Sequence, residues 1–113
     1  MTGAAPDPAF DLRDRVAVVT GGSRGLGREM VRAFAARGAH VVIASRKIDA
    51  CEALAKEVER ETGRDALPFA FHAGHWDDCD RLAEAAWDRF GRVDVLVNNA
   101  GMSPLYPSLE ELS

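Results

Sequence analysis

Four glycines crowd together at Gly21, Gly22, Gly25 and Gly27, directly after the apolar run Val16–Thr20 and inside the start of an amphipathic pattern. A strand, a tight turn and a helix in that order set the first-turn N–H groups of the helix at the carboxyl end of the strand. Those donors have no partner within the helix, and the helix dipole makes their end positive, so the turn suits a phosphate. Two familiar phosphate loops do not fit. Gly22 to Gly27 has the GxxxxG spacing of a nucleotide-hydrolase loop, but Arg28 and Glu29 stand where a lysine and a hydroxyl residue are needed. The strict G-x-G-x-x-G spacing also fails, because three residues and then one separate Gly21, Gly25 and Gly27.

Other polar groups follow later apolar runs: Ser45-Arg46-Lys47 after one, and Asn98-Asn99-Ala100-Gly101 after another. Cys51 and Cys79 are too few and too far apart for a disulfide framework or a zinc site, and both are expected reduced and buried. His72 and His75 have no carboxylate or thiol at ligand spacing, so no metal is expected.

The elements that must position these groups read as alternating strands and helices. Residues 15–20, 40–45, 67–72 and 93–98 form apolar runs expected as strands buried on both faces, with Pro68 restricting the third to a strand start or a sheet edge. Between them, Leu26, Met30, Val31 and Phe34 mark one helix, stopped by Gly38. Cys51, Leu54, Ala55 and Val58 mark a second, ending near Gly63. Leu82, Ala83, Ala86, Trp87 and Phe90 mark a third, with Asp77 as its N-cap and Gly91 at its end. Residues 108–113 resemble a first helical turn.

This alternation implies an α/β fold: a doubly wound parallel sheet, Rossmann-like and partial, of strand order 3-2-1-4. The first two helices then cover one face and the third the other, which puts Cys51 and Cys79 on opposite faces and rules out a bond between them. The order reverses between strands 1 and 4. The glycine turn and residues 98–101 leave those two strands, at the switch point where such sheets bind ligands.

Composition narrows the function class. The 113 residues are 47% hydrophobic and 28% charged, ordinary for one globular domain. A net charge of −4 with no basic run disfavours nucleic acid and anionic membranes as partners, and no apolar run is long enough to span a membrane. Residues 1–14 lack a signal-peptide core and read as a lead-in to a domain over 15–113, expected in the cytoplasm.

Thr20, Gly21, Gly25 and Gly27 match T-G-x-x-x-G-x-G, and with Asn98-Asn99-Ala100-Gly101 the chain resembles the short-chain dehydrogenase/reductase family from about Leu12 onward. The resemblance implies an oxidoreductase that passes a hydride between a nicotinamide dinucleotide and a carbonyl or secondary alcohol of a small substrate. It also implies diphosphate contacts at Gly21, Ser23, Gly25, Leu26 and Gly27, and packing of Asn99, Ala100 and Gly101 against the adenosine ribose and the central strand. Thr20 and Asp94 are implied to be structural. A homo-oligomer is expected of the full-length protein.

Charge decides the expected cofactor. An NAD site carries a carboxylate near the end of strand 2, where this chain has Ser45-Arg46-Lys47 and no carboxylate before Asp49. A guanidinium binds a 2′-phosphate that a carboxylate would repel, and Arg24 can approach from the glycine turn, so NADP(H) is expected over NAD(H). The competing reading is that Arg46 and Lys47 simply begin a solvated helix.

Two departures from the family pattern stand out. Strand 3 usually ends in an aspartate that accepts from the adenine amino group; here His72 and Ala73 stand in its place. A neutral imidazole can accept through one nitrogen, or His72 can face solvent while only the Ala73 backbone meets adenine. The family's catalytic serine and Tyr-x-x-x-Lys are also missing: Tyr106 is followed at position 110 by Glu110, and Ser103 and Ser108 come too early. The chain is therefore expected to be a partial Rossmann domain truncated before the catalytic segment, inactive alone and without catalytic residues of its own. A non-catalytic dinucleotide-binding module or sensor is the alternative.

Overall fold

The computed structural model describes residues 11–72 and 76–99. Its element order is β1 (Val16–Thr20), α1 (Gly25–Ala36), β2 (His40–Ser45), α2 (Ile48–Thr62), β3 (Ala66–Ala70), α3 (Trp76–Phe90) and β4 (Val95–Asn98). The four strands are parallel and lie in the order β3-β2-β1-β4, as the alternation implied. β1 and β2 are the central pair, and every residue of β1 is buried because both faces are covered.

The pleat sorts the core into two layers. Ala17, Val19, Val41 and Ile43 face one side, where Val31 and Ala35 of α1 and Cys51, Leu54, Ala55 and Val58 of α2 meet them. Val16, Val18, Val42 and Ala44 face the other, where Phe71 and α3's Leu82 and Ala86 pack. Arg32 pairs with Glu57 and Glu61, tying α1 to α2 along their outer surfaces.

Several sequence expectations shift, each for an identifiable reason. The buried stripe of α1 is Gly27, Val31 and Ala35, and Leu26 is 64% exposed rather than part of it. The stripe begins at Gly27, where the helix backbone comes close to the turn. Strand β4 starts at Val95, not at residue 93, because Asp94 is engaged with β1: its N–H donates to Val16 O, and its Oδ2 accepts from Val16 N–H, both at 2.9 Å. Strand β3 runs from Ala66 to Ala70 and stops short of His72, whose N–H donates to the Asp78 carboxylate at 2.8 Å instead of continuing the ladder. Pro68 lies mid-strand, tolerated because β3 is an edge of the sheet.

Asp77 is not the N-cap of α3. The helix already includes Trp76, and Asp77 is an exposed first-turn residue. Of the apolar residues expected to face the core on the third helix, Leu82 and Ala86 are buried, while Ala83 is exposed and Trp87 is 55% exposed. Cys79 is exposed, contrary to expectation, and Cys51 is buried as expected. The two sit on opposite sides of the sheet, Cys51 with α1 and α2, Cys79 on α3. No helix among the described residues is long and apolar enough to cross a membrane.

Candidate functional site

The glycine turn leaves β1 in the centre of the sheet, and hydrogen bonds on both sides fasten it to its neighbours. Gly21 N–H donates to Ala44 O of β2 at 2.6 Å, and Asn99 Nδ2, just past β4, donates to Gly21 O at 3.4 Å. Gly25 adopts φ +61°, a left-handed conformation that glycine takes without strain, and open space surrounds its Cα. Gly27 is required for a different reason. A Cβ there would strike the carbonyl of Gly21 and lie 2.9 Å from Asn99 Nδ2, so the helix could not sit this close to the turn. Helix α1 has no side-chain cap, leaving its first-turn N–H groups to a ligand or to water.

The turn is linked to the end of β2 through buried Ser45. Its Oγ accepts from Ser23 Oγ at 3.0 Å and from Lys47 N–H at 3.1 Å, with the Cys51 thiol at 3.3 Å. Ser45 thus holds together the turn, the first residues of α2 and the strand end between them. Arg24, Arg46 and Lys47 are exposed around this junction, and no ion pair holds any of the three among the described residues. Arg28 is turned away, pairing with Glu57 at 3.3 Å. On the other side of β1, Thr20 Oγ1 donates to Asn98 Oδ1 at 3.0 Å, closing the β1–β4 junction.

His72 lies beyond β3 on the same rim and is exposed; its ring and its backbone N–H both address Asp78. The His72 backbone N–H, foremost, holds the Asp78 carboxyl below the usual carboxylate range; Arg81 and the His72 ring add to this, while burial opposes it. At the opposite end of the sheet, Arg92 lowers the Asp94 carboxyl in the same direction, with the Val16 N–H contributing, and Asp94 in turn raises Arg92. That places Asp94 far from the glycine turn, at the foot of β1. Ala73, Ala100 and Gly101, also expected at the site, lie outside the described residues, as do His75 and residues 102–113. Among the described residues no group of three or more His, Cys, Asp or Glu could hold a metal ion.

Gly21, Ser23, Arg24, Gly25, Gly27, Ser45, Arg46, Lys47 and Asn99 therefore gather around the carboxyl ends of β1, β2 and β4, with Leu26 exposed beside them and His72 at the end of β3. A sequence profile described as short chain dehydrogenase matches residues 15–112. This chain belongs to the short-chain dehydrogenase/reductase family. An uncharacterised oxidoreductase of Mycobacterium tuberculosis is 45% identical over 92 residues, covering 81% of this chain and 35% of the relative. L-rhamnose 1-dehydrogenase (NAD(P)(+)) of Azotobacter vinelandii is 40% identical over 102 residues, covering 88% of this chain and 40% of that enzyme. Among solved structures, L-sorbose reductase of Gluconobacter frateurii, complexed with NADPH and L-sorbose, superposes with a TM-score of 0.79 at 33% identity, over 84% of this chain and 36% of the reductase. This short-chain dehydrogenase/reductase chain thus spans well under half the length of the relatives it matches.

Sequence reasoning passed over Asp78, one of two adjacent aspartates. The signal was present: Asp78, Leu82 and Ala86 recur every four residues, which puts Asp78 on the buried stripe of α3 and Asp77 off it. A cavity of about 270 Å³ also lies between α3 and the sheet, walled by Val18, Phe71, Leu82, Ala86, Trp87 and Leu96 among others. Its apolar wall suits neither a diphosphate nor a sugar.

Proposed function

We propose that this chain is the NADP(H)-binding portion of an oxidoreductase that passes a hydride between NADP(H) and a carbonyl or secondary alcohol of a small organic substrate. The observation that carries the reading is the charge at the end of β2. Arg46 and Lys47 are exposed without ion pairs among the described residues, and the first carboxylate after them, Asp49, belongs to the first turn of α2. A 2′-phosphate supplies the anion these cations lack, with Arg24 approaching from the turn, and the guanidinium of Arg46 can hold it by two charge-assisted bonds.

The remaining assignments follow the same geometry. The uncapped N-terminus of α1 receives the diphosphate, with Gly21, Ser23, Gly25, Leu26 and Gly27 around it, and the fit is supported by the open space at Gly25. Ser45 orients the strand end, and the family resemblance, rather than the geometry, assigns Ala73, Asn99, Ala100 and Gly101 to the adenosine. The bound dinucleotide supplies or receives the hydride, and the residues of this chain bind and orient it. The 113 residues contain no Tyr-x-x-x-Lys, so they account for cofactor binding without turnover. Residues 15–113 are read as a partial Rossmann domain behind a lead-in over 1–14. The full-length protein is read as a cytoplasmic homo-oligomer acting on small molecules rather than on nucleic acid or a membrane.

Titration of the intact protein with NADPH and NADH at physiological salt tests the preference. NADPH is expected to bind at least about tenfold more tightly, the value of one charge-assisted hydrogen bond. Arg46→Ala is expected to remove most of that advantage while leaving NADH binding nearly unchanged. Equal affinities in the unmodified protein would refute the preference, and no binding of either would refute the dinucleotide reading.

A further inference from the structure

Strand β3 is one edge of the sheet, with no strand beyond it among the described residues. Its ladder with β2 fixes which of its backbone groups face outward. Val41 N–H donates to Asp65 O at 3.0 Å, and Phe71 N–H donates to Ser45 O at 2.8 Å. The N–H and C=O of one strand residue point to the same side, and that side alternates along the strand. Asp65, Leu67, Phe69 and Phe71 therefore address β2, while Ala66, Pro68 and Ala70 address whatever lies beyond the sheet. The pairing of Val41 with Ala66, Ile43 with Pro68 and Ser45 with Ala70 has the same phase.

Two of the three outward donors are removed. Ala66 N–H donates to Glu59 Oε2 at 3.1 Å. Helix α2 ends at Thr62, Gly63 turns the chain at φ +73°, and β3 begins at Ala66. Glu59, about one turn before the helix end, thus reaches back to the first residue of the strand. Pro68 has no N–H, and its ring fills the place where a donor would point. Because Pro68 faces away from β2, it takes nothing from the ladder inside the sheet. Ala70, exposed at the end of the strand, keeps the third donor.

A strand added at this edge would bring carbonyls to these outward positions. One would meet the Glu59 carboxylate at Ala66, oxygen against oxygen, and the next would meet the ring of Pro68. A backbone carbonyl buried without a donor costs about as much as a lost hydrogen bond. We infer that Glu59 and Pro68 together close the outer edge of β3, so that a second copy of this chain cannot lengthen the sheet from that side. Charge and proline both protect exposed edges; here the helix supplies the one and the strand the other. Neither residue belongs to the candidate site, so this reading and the dinucleotide reading stand or fall separately.

The test places Glu59→Ala and Pro68→Val together in the intact protein, which restores both donors and disturbs no group that bonds β2. Self-association is followed by sedimentation over a concentration series. The double variant is expected to gain an association step with a Kd at least about tenfold below any such step in the parent, the value of two restored backbone hydrogen bonds. Each single variant is expected to fall between the two. Relocating the proline, as Pro68→Val with Ala70→Pro, again leaves one outward donor and is expected to associate no more than the parent. A double variant that matches the parent at every concentration would overturn the inference. So would a relocated proline that associates as strongly as Pro68→Val alone, because the missing donor would then not be what closes the edge.

Discussion

Replacing Gly27 by alanine sets two effects of opposite sign against each other. Gly27 is the third residue of α1, where the helix propensity of alanine would by itself stabilise the protein by about 0.8–1 kcal/mol. The new Cβ, however, would strike the Gly21 carbonyl and lie 2.9 Å from Asn99 Nδ2. The first obstacle is backbone, anchored by the 2.6 Å bond from Gly21 N–H to Ala44 O, so no rotamer change relieves it. Forcing a methyl group into such a site costs about 1–3 kcal/mol. Displacing Asn99 from Gly21 O adds about 0.5–1.5 kcal/mol. The expected outcome is a net loss of about 0.5–3.5 kcal/mol, seen as a lower urea midpoint at unchanged slope. NADPH affinity should fall about tenfold as α1 lifts away from the turn. Gly25 provides the contrast, since its Cα meets nothing and only its φ of +61° is special. Gly25→Ala should cost about 1–2 kcal/mol, and Gly25→Asn, which tolerates this conformation, distinctly less. A Gly27→Ala protein more stable than the parent would refute the close-approach reasoning, because propensity alone would then be governing the site.

Three further outcomes follow from the structure. The carboxyls of Asp78 and Asp94 are lowered, so their contribution to stability is complete above the unfolded carboxylate pKa of about 4 and is lost as pH falls through their lowered values. Urea midpoints should therefore decline on the acid side, and Asp94→Asn should flatten that decline; an unchanged acid limb in Asp94→Asn would contradict this. A thiol reagent should modify exposed Cys79 in the native protein at once and reach buried Cys51 only on unfolding, with two equally fast thiols as the contrary result. Trp87 at 55% and Leu96 at 66% exposure border the apolar cavity, and the outer edge of β4 pairs with no described strand. Each such side chain left in water forgoes about 1.5–3 kcal/mol, so the 113-residue chain should self-associate or melt early, and Leu96→Lys should reduce the association. Light scattering that finds a stable monomer with a cooperative melt above about 65 °C would contradict this.

Much of the fold was legible because its signals are local and repeated. Buried parallel strands read as continuous runs of valine, isoleucine and alanine, and their alternation with helical faces allowed few topologies. The strand ends were less legible, because each is set by a carboxylate that takes a backbone N–H, a contact that apolar periodicity does not record. Asp94 takes the Val16 N–H and delays β4; Asp78 takes the His72 N–H and ends β3 early. Helix faces failed where an apolar residue had nothing to cover it. Leu26, Ala83, Trp87 and Cys79 look like core by type and are exposed in place. At the candidate site, the glycines, Arg24, Arg46 and Asn99 were readable from type and spacing, while the linking role of Ser45 was not. A serine after a strand carries no mark of the three groups that converge on its hydroxyl.

By itself the sequence determined the class of fold, the strand order and the place of the glycine turn, since periodicity and glycine spacing are properties of residues near one another. Only the tertiary structure decided which of two adjacent aspartates is buried and which hydroxyl ties the glycine turn to β2. It also decided that Gly27 must lack a side chain because a carbonyl six residues earlier occupies the space. These are consequences of close packing and of the need to pair buried polar groups, and both depend on neighbours that meet only when the sheet has formed.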